Sequence, residues 1–177
     1  MKLNLLGGVI VGMFSNLVFY ALYWADLLRS EDGARLLFLA SGLHAAVLIG
    51  VLSKHRSAAL PEAIPFAKLF GAGLILSFVA GICTSLGSYY FTTQVDPSYL
   101  GWITEQSIAH LKTMDLPEAQ LNAEIAALPS RVTPGSYAFQ GLVGVCITGF
   151  VLTLVIGALL RLRAMQVVGS APAPGKN

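Results

Sequence analysis

His44 lies in "SGLHAAVLIG", residues 41–50, with no other ionisable side chain in that run. A histidine so placed either handles protons inside a membrane or is satisfied by hydrogen bonds between packed helices. Charge is expensive within a bilayer core, so an ionisable group there is a functional candidate by default. Asn16, Ser77 and Thr148 fall at a similar depth in their own apolar runs. A neutral imidazole needs one donor and one acceptor satisfied, and an amide such as Asn16 supplies either. Interhelical hydrogen bonds in membranes average only about 0.6 kcal/mol, so such a pair fixes register more than stability. A proton pathway shows several acids or bases in series, whereas no Asp, Glu, Lys or Arg lies deep in any run. A structural His44 therefore takes precedence over a functional one.

The other reactive side chains yield no catalytic set. Asp26 is at the edge of its run, His55 reads as a solvated neighbour of Lys54 and Arg56, and His110 reads as exposed. Cys83 and Cys146 are the only cysteines, both inside apolar runs and in neither C-x-x-C nor zinc spacing. They read as small hydrophobes at a shared depth, in reach of each other if their helices are neighbours. No Walker-type loop, nucleophile elbow or H-E-x-x-H is present, and the glycines of "LLGGVIVG" precede no strand–helix unit. The chain reads as non-enzymatic, with no cofactor and no metal site.

Helices must position these residues. The chain is 11% charged against about 25% in soluble domains, because long uncharged runs are separated by short charged patches. The runs cover about 5–28, 34–53, 66–92 and 136–160. Each approaches or exceeds the roughly 20 residues that cross a bilayer core. Backbone polar groups in lipid must be paired internally, and the runs do not alternate as barrel strands do. The fold class is thus an all-α membrane protein with four transmembrane helices, a single domain over 1–168 and a disordered tail at 169–177. The first run is too long for a signal peptide and ends in bulky aromatics, so it reads as a retained helix.

Lysine and arginine set the orientation. Seven flank the termini and the 54–65 loop, and four flank the other side. The positive-inside rule places both termini in the cytoplasm. All acidic residues except Glu62 then fall outside, and Tyr20, Tyr23, Trp24, Tyr89, Tyr90, Trp102 and Tyr137 mark the outer boundary. The outer connection, 93–135, reads as two short amphipathic helices. Asp96 and Pro97 predict an N-cap and first turn, and Asp115 with Glu118 has capping-box spacing. With a net charge of +2 and no dense basic cluster, nucleic acid is not a partner.

In lipid, close approach of backbones through small residues drives helix packing. Each run carries such residues at four-residue spacing: Gly8 and Gly12; Gly42, Ala46 and Gly50; Gly73, Ser77, Gly81 and Ser85; Gly149, Thr153 and Gly157. They predict one packed bundle, or a dimer formed through a stripe left over.

"IPFAKLFGAGLILSFVAGICTSLGSYYFTTQVDPSYL", a polar helical stretch, and "PGSYAFQGLVGVCITGFVLTLVIGALLRLR" together resemble the DUF4199 family of small bacterial membrane proteins. The resemblance spans nearly the whole chain. It implies a four-helix protein of the bacterial inner membrane and no reaction, cofactor or catalytic residue. The leading expectation is a multi-pass interaction or assembly component, by self-association or through a membrane-protein partner engaging the outer segment. The alternative is a small carrier or channel subunit with His44 and Asn16 lining a path.

Overall fold

The computed structural model describes residues 1–57 and 65–169. Its helices are α1 (Lys2–Trp24), α2 (Glu31–Ser57), α3 (Phe66–Tyr90), α4 (Tyr99–Thr113), α5 (Glu118–Arg131) and α6 (Pro134–Gly169), with one π turn, Phe91–Val95, after α3. Among the described residues there is no strand. Four helices are long and apolar enough to cross a membrane: α1, α2 from Arg35, α3 with its π turn, and α6 as far as Leu160. The protein is an all-α membrane protein, and α4 and α5 fill the long connection.

Helix ends differ from the apolar runs because capping, not hydropathy, sets them. The first run continues to Leu28, yet α1 stops at Trp24. Asp26 takes the left-handed conformation, φ 56°, where glycine is usual. Its N–H bonds to Tyr23 O at 3.0 Å and that of Leu27 to Leu22 O at 2.9 Å, the Schellman pattern. Leu27 and Leu28 then fold back onto Leu22 and the aromatic side chains around it. Ser30 Oγ accepts from Gly33 N–H at 3.0 Å, so α2 starts at Glu31 rather than at 34. It also runs past Ser53, with Lys54, His55 and Arg56 in its last turn, where cations suit the helix dipole.

The N-terminus of α6 has a reciprocal cap. Ser136 N–H donates to Thr133 Oγ1 at 3.2 Å, and Thr133 N–H donates to Ser136 Oγ at 2.9 Å. Pro134 fills the first helical position, so α6 opens two residues before the expected start. It continues through residue 169, beyond the expected end at 160. The expected capping box at Asp115 and Glu118 does not form: Pro117 is the cap residue of α5, with no side-chain cap bond. Most of the 54–65 loop, including Glu62, and residues 170–177 of the expected tail lie outside the described residues.

Helix α3 is central, packed along α1 on one side and α6 on the other, while α2 touches all three. A Cβ on Gly73 would collide with Thr153, one on Gly149 with Ser77, and one on Gly81 would press on Leu142 and Cys146. These antiparallel small residues bring the α3 and α6 backbones together, as expected where van der Waals contact drives association. On the opposite flank Gly8 sits on Leu76 O and Val79, and Gly12 on Ala80 O and Cys83. Gly157 rests against Phe66, and Ser85 is half-buried. The α2 stripe departs from expectation. Nothing lies within 4 Å of a Cβ built on Gly42 or Gly50, and Ala46 is exposed.

Two cores result. An aliphatic one joins Val11, Leu48, Leu52, Leu69, Leu76, Ala80 and Ile156. An aromatic one near α4 centres on Phe91, which meets Phe19, Tyr20, Tyr23 and Tyr99 edge-on at centroid distances of 4.8–5.5 Å.

Candidate functional site

The two halves of α2 pack differently. From His44 onward, His44, Leu48, Val51 and Leu52 are buried at helical spacing. From Arg35 to Leu43 no residue is buried. Helix α2 stands off the bundle there, and a cavity of about 320 Å³ opens between α1, α2, α3 and α6. It lies between the two cores, reaching from Val11 and Val145 at one end to Phe19 and Tyr137 at the other. His44, Asn16 and Thr148 all line it, so three of the four expected midplane polar residues share one space. Ser77 stands behind His44 rather than in the lining.

His44 is 3% exposed, and its Nε2 lies 3.1 Å from Ser77 Oγ. Ser77 has one hydroxyl proton, and Gly73 O accepts it at 2.9 Å. With that proton on Gly73 O, the serine oxygen accepts from the ring and the imidazole proton is assigned to Nε2. Nδ1 is left as an acceptor, without a hydrogen-bond partner among the described residues. Gly149 makes room for this pair: a Cβ there would overlap Ser77 and come within 3.1 Å of His44 Cε1.

Asn16 is not the partner of His44, contrary to expectation. Its Nδ2 donates to Cys83 O at 2.9 Å, and its amide lies against Gly87, where no Cβ would fit. Tyr20 Oη donates to Gly87 O at 3.3 Å, one turn further along. Depth along a helix is readable from sequence, but the direction a residue faces depends on how the helices are rotated. Cys83 likewise faces Gly12 of α1, while Cys146 lies against Gly81 of α3. The two thiols occupy different sides of α3, and both are free.

Further polar residues line the cavity: Ser15, Ser41, Thr84, Ser88 and Gln140. Their signal was helical spacing: Ser41 precedes His44 by three positions, Thr84 precedes Ser88 by four, and Gln140 precedes Thr148 by eight with Gly144 between. The Thr84 hydroxyl is buried without a partner among the described residues, as is that of Thr153 outside the cavity. Among the described residues no Asp, Glu, Lys or Arg lines the cavity. Among the described residues no three His, Cys, Asp or Glu side chains converge as a metal site would require.

The end of the bundle nearest α4 is tied by an ion pair. Arg29 Nη2 donates to Asp96 Oδ2 at 2.7 Å and to Ser98 Oγ at 3.0 Å, and Ser98 Oγ donates to Asp96 Oδ1 at 2.5 Å. Asp96 was expected to cap α4. Instead Ser98 is the cap residue, and the buried carboxylate links the turn after α1 to the turn after α3. Burial opposes ionisation of Asp96, but the hydrogen bonds from Ser98 and Arg29, with the Arg29 charge, outweigh it and hold the carboxyl below its ordinary range. Burial, then the nearby Tyr137, pushes the Tyr99 hydroxyl above its ordinary value. At the opposite end, His55 is not simply solvated: its Nε2 lies 2.7 Å from Oδ1 of the buried Asn4. His110 is exposed.

The arrangement can hold a neutral guest by directional hydrogen bonds between apolar walls. A family model described as "Protein of unknown function (DUF4199)" matches residues 7–161. No curated protein and no solved structure matches the chain.

Proposed function

The chain belongs to the DUF4199 family, and on that premise we propose that it is a non-enzymatic, multi-pass protein of the bacterial inner membrane that takes a small guest into the cavity beside His44. The carrier alternative thus moves ahead of assembly. The observation that carries it is the convergence of His44, Asn16 and Thr148, from three helices, on one space. A volume of about 320 Å³ falls within the range of small-molecule pockets, which pair mostly apolar walls with a few placed polar groups. The excess of Lys and Arg near the termini supports cytoplasmic ends, with α4 and α5 outside.

Thiol labelling tests the reading. In a Cys83→Ala/Cys146→Ala background, Thr148→Cys should react with methyl methanethiosulfonate in membrane vesicles. Val151→Cys, on the exposed flank of α6, should stay unreactive in lipid. If Thr148→Cys proves as inert as Val151→Cys, the cavity is closed to guests and the proposal fails.

Assembly keeps a second place because α5 has no buried residue. Its half-buried Leu121, Ile125 and Leu128 leave most of the helix available to a membrane-protein partner or a second copy. A deletion testing this must spare Tyr99, Trp102 and Ile103, which belong to the aromatic core. Replacing 105–130 by a short linker should release a co-purifying partner while the bundle persists. Retention of every partner by that variant would remove this second reading.

A further inference from the structure

We infer that the guest is a neutral amphiphile bearing a hydrogen-bond donor, a small alcohol or amide drawn from the bilayer, whose O–H or N–H binds His44 Nδ1. The inference rests on the cavity reading and adds the chemical class. Three observations carry it. First, among the described residues no charged side chain lines the cavity, so an ionic guest would leave water for a space in which none of them compensates it. The nearest described ion pair toward α4, Arg29 with Asp96, already neutralises itself. Second, the proton inventory is asymmetric. With the Ser77 hydroxyl proton on Gly73 O, 2.9 Å away, His44 gives its ring proton to Ser77, and what remains on the ring is a lone pair at Nδ1. An occupant that only accepts, such as an ether or ketone, finds no donor on that ring. Third, Val11, Phe19, Leu37 and Val145 supply hydrocarbon walls suited to an alkyl portion. Ser41, Gln140 and Gly144, which line the cavity from α2 and α6, are themselves exposed, which opens a lateral route within the membrane-spanning zone.

The test uses full-length protein in nanodiscs with ¹⁵N-labelled histidine and the His55→Gln and His110→Gln replacements. The probes are 1-octanol and octyl methyl ether, which match in polarity of position but differ in the donor. Before any probe is added, the spectrum should show the Nε2-protonated ring; an Nδ1-protonated ring overturns the inference. Octanol should then move the Nδ1 resonance saturably, and the ether should bind about five-fold more weakly, the equivalent of one net hydrogen bond. Gly144→Leu should abolish the octanol response, since nothing lies within 4 Å of a Cβ there and the larger side chain fills the space. Equal responses to both probes, or none to octanol, overturn the donor class. If Thr148→Cys still labels in that event, the cavity reading survives; if it does not, both fall together.

Discussion

His44 and Ser77 meet across the α2–α3 contact only because residue 149 on α6 has no side chain. The pair is 3.1 Å apart, and a Cβ at position 149 would overlap both serine side-chain atoms. One glycine thus decides whether three helices converge at this level of the bundle.

Gly149→Ala should accordingly destabilise the bundle by about 1–3 kcal/mol, the usual cost of overpacking a close contact. Gly144→Ala, five residues earlier on the same helix and with open space before it, should stay within about 0.5 kcal/mol of the parent. Reversible unfolding in mixed micelles measures both. Equal effects would mean that Gly149 does not seat the His44–Ser77 pair.

The Arg29–Asp96 pair gives a pH signature with a defined sign. The folded carboxyl titrates below its unfolded value near 3.9, so its contribution is complete above about pH 5. It is lost as pH falls through the lower, folded value. Asp96→Asn should cost about 1–2 kcal/mol at pH 7, below the full range for a charged hydrogen bond because Arg29 is 44% exposed. The same variant should flatten the acid limb of a stability curve taken from pH 7 to pH 3. An unchanged limb would show that Asp96 is not depressed in the folded state.

Asp26 carries the conformation that glycine adopts without steric cost. Asp26→Gly should stabilise the protein by up to about 1 kcal/mol, and Asp26→Val should destabilise it by at least as much. Thermal unfolding of the two variants, compared at one detergent concentration, checks the order. Stabilisation by valine would mean that the turn after α1 is not held in the left-handed region.

Apolar runs made the four spanning helices legible, because a backbone in lipid has few alternatives. The ends were harder to read for local reasons. Leu27 and Leu28 prolong the hydropathy of α1 but belong to its terminating motif, and the Thr133–Ser136 cap uses a serine where glutamate is the familiar signal. Small residues were informative where two helices both carried them, as at Gly73 with Thr153 and Ser77 with Gly149. They misled on α2, whose Gly42, Ala46 and Gly50 face away from the other helices, because glycine is common in spanning helices whatever its neighbours. Of the candidate site, the shared level of His44, Asn16 and Thr148 along their helices was legible. The partner of His44 and the cavity were not, since both depend on the relative rotation of four helices.

Helix α2 is held at both ends of its stand-off. Gly33 is packed against the Leu27 carbonyl, and His44 is locked to Ser77. Eleven residues separate these anchors, roughly 16 Å of helix bridging the void like a beam on two supports. A continuous helix resists bowing over so short a distance, which favours a void of fixed span on the α2 side. On the proposed cavity function such a span would act as a calliper: along a graded series of guests, affinity should climb with chain length and then drop at the first member that no longer fits.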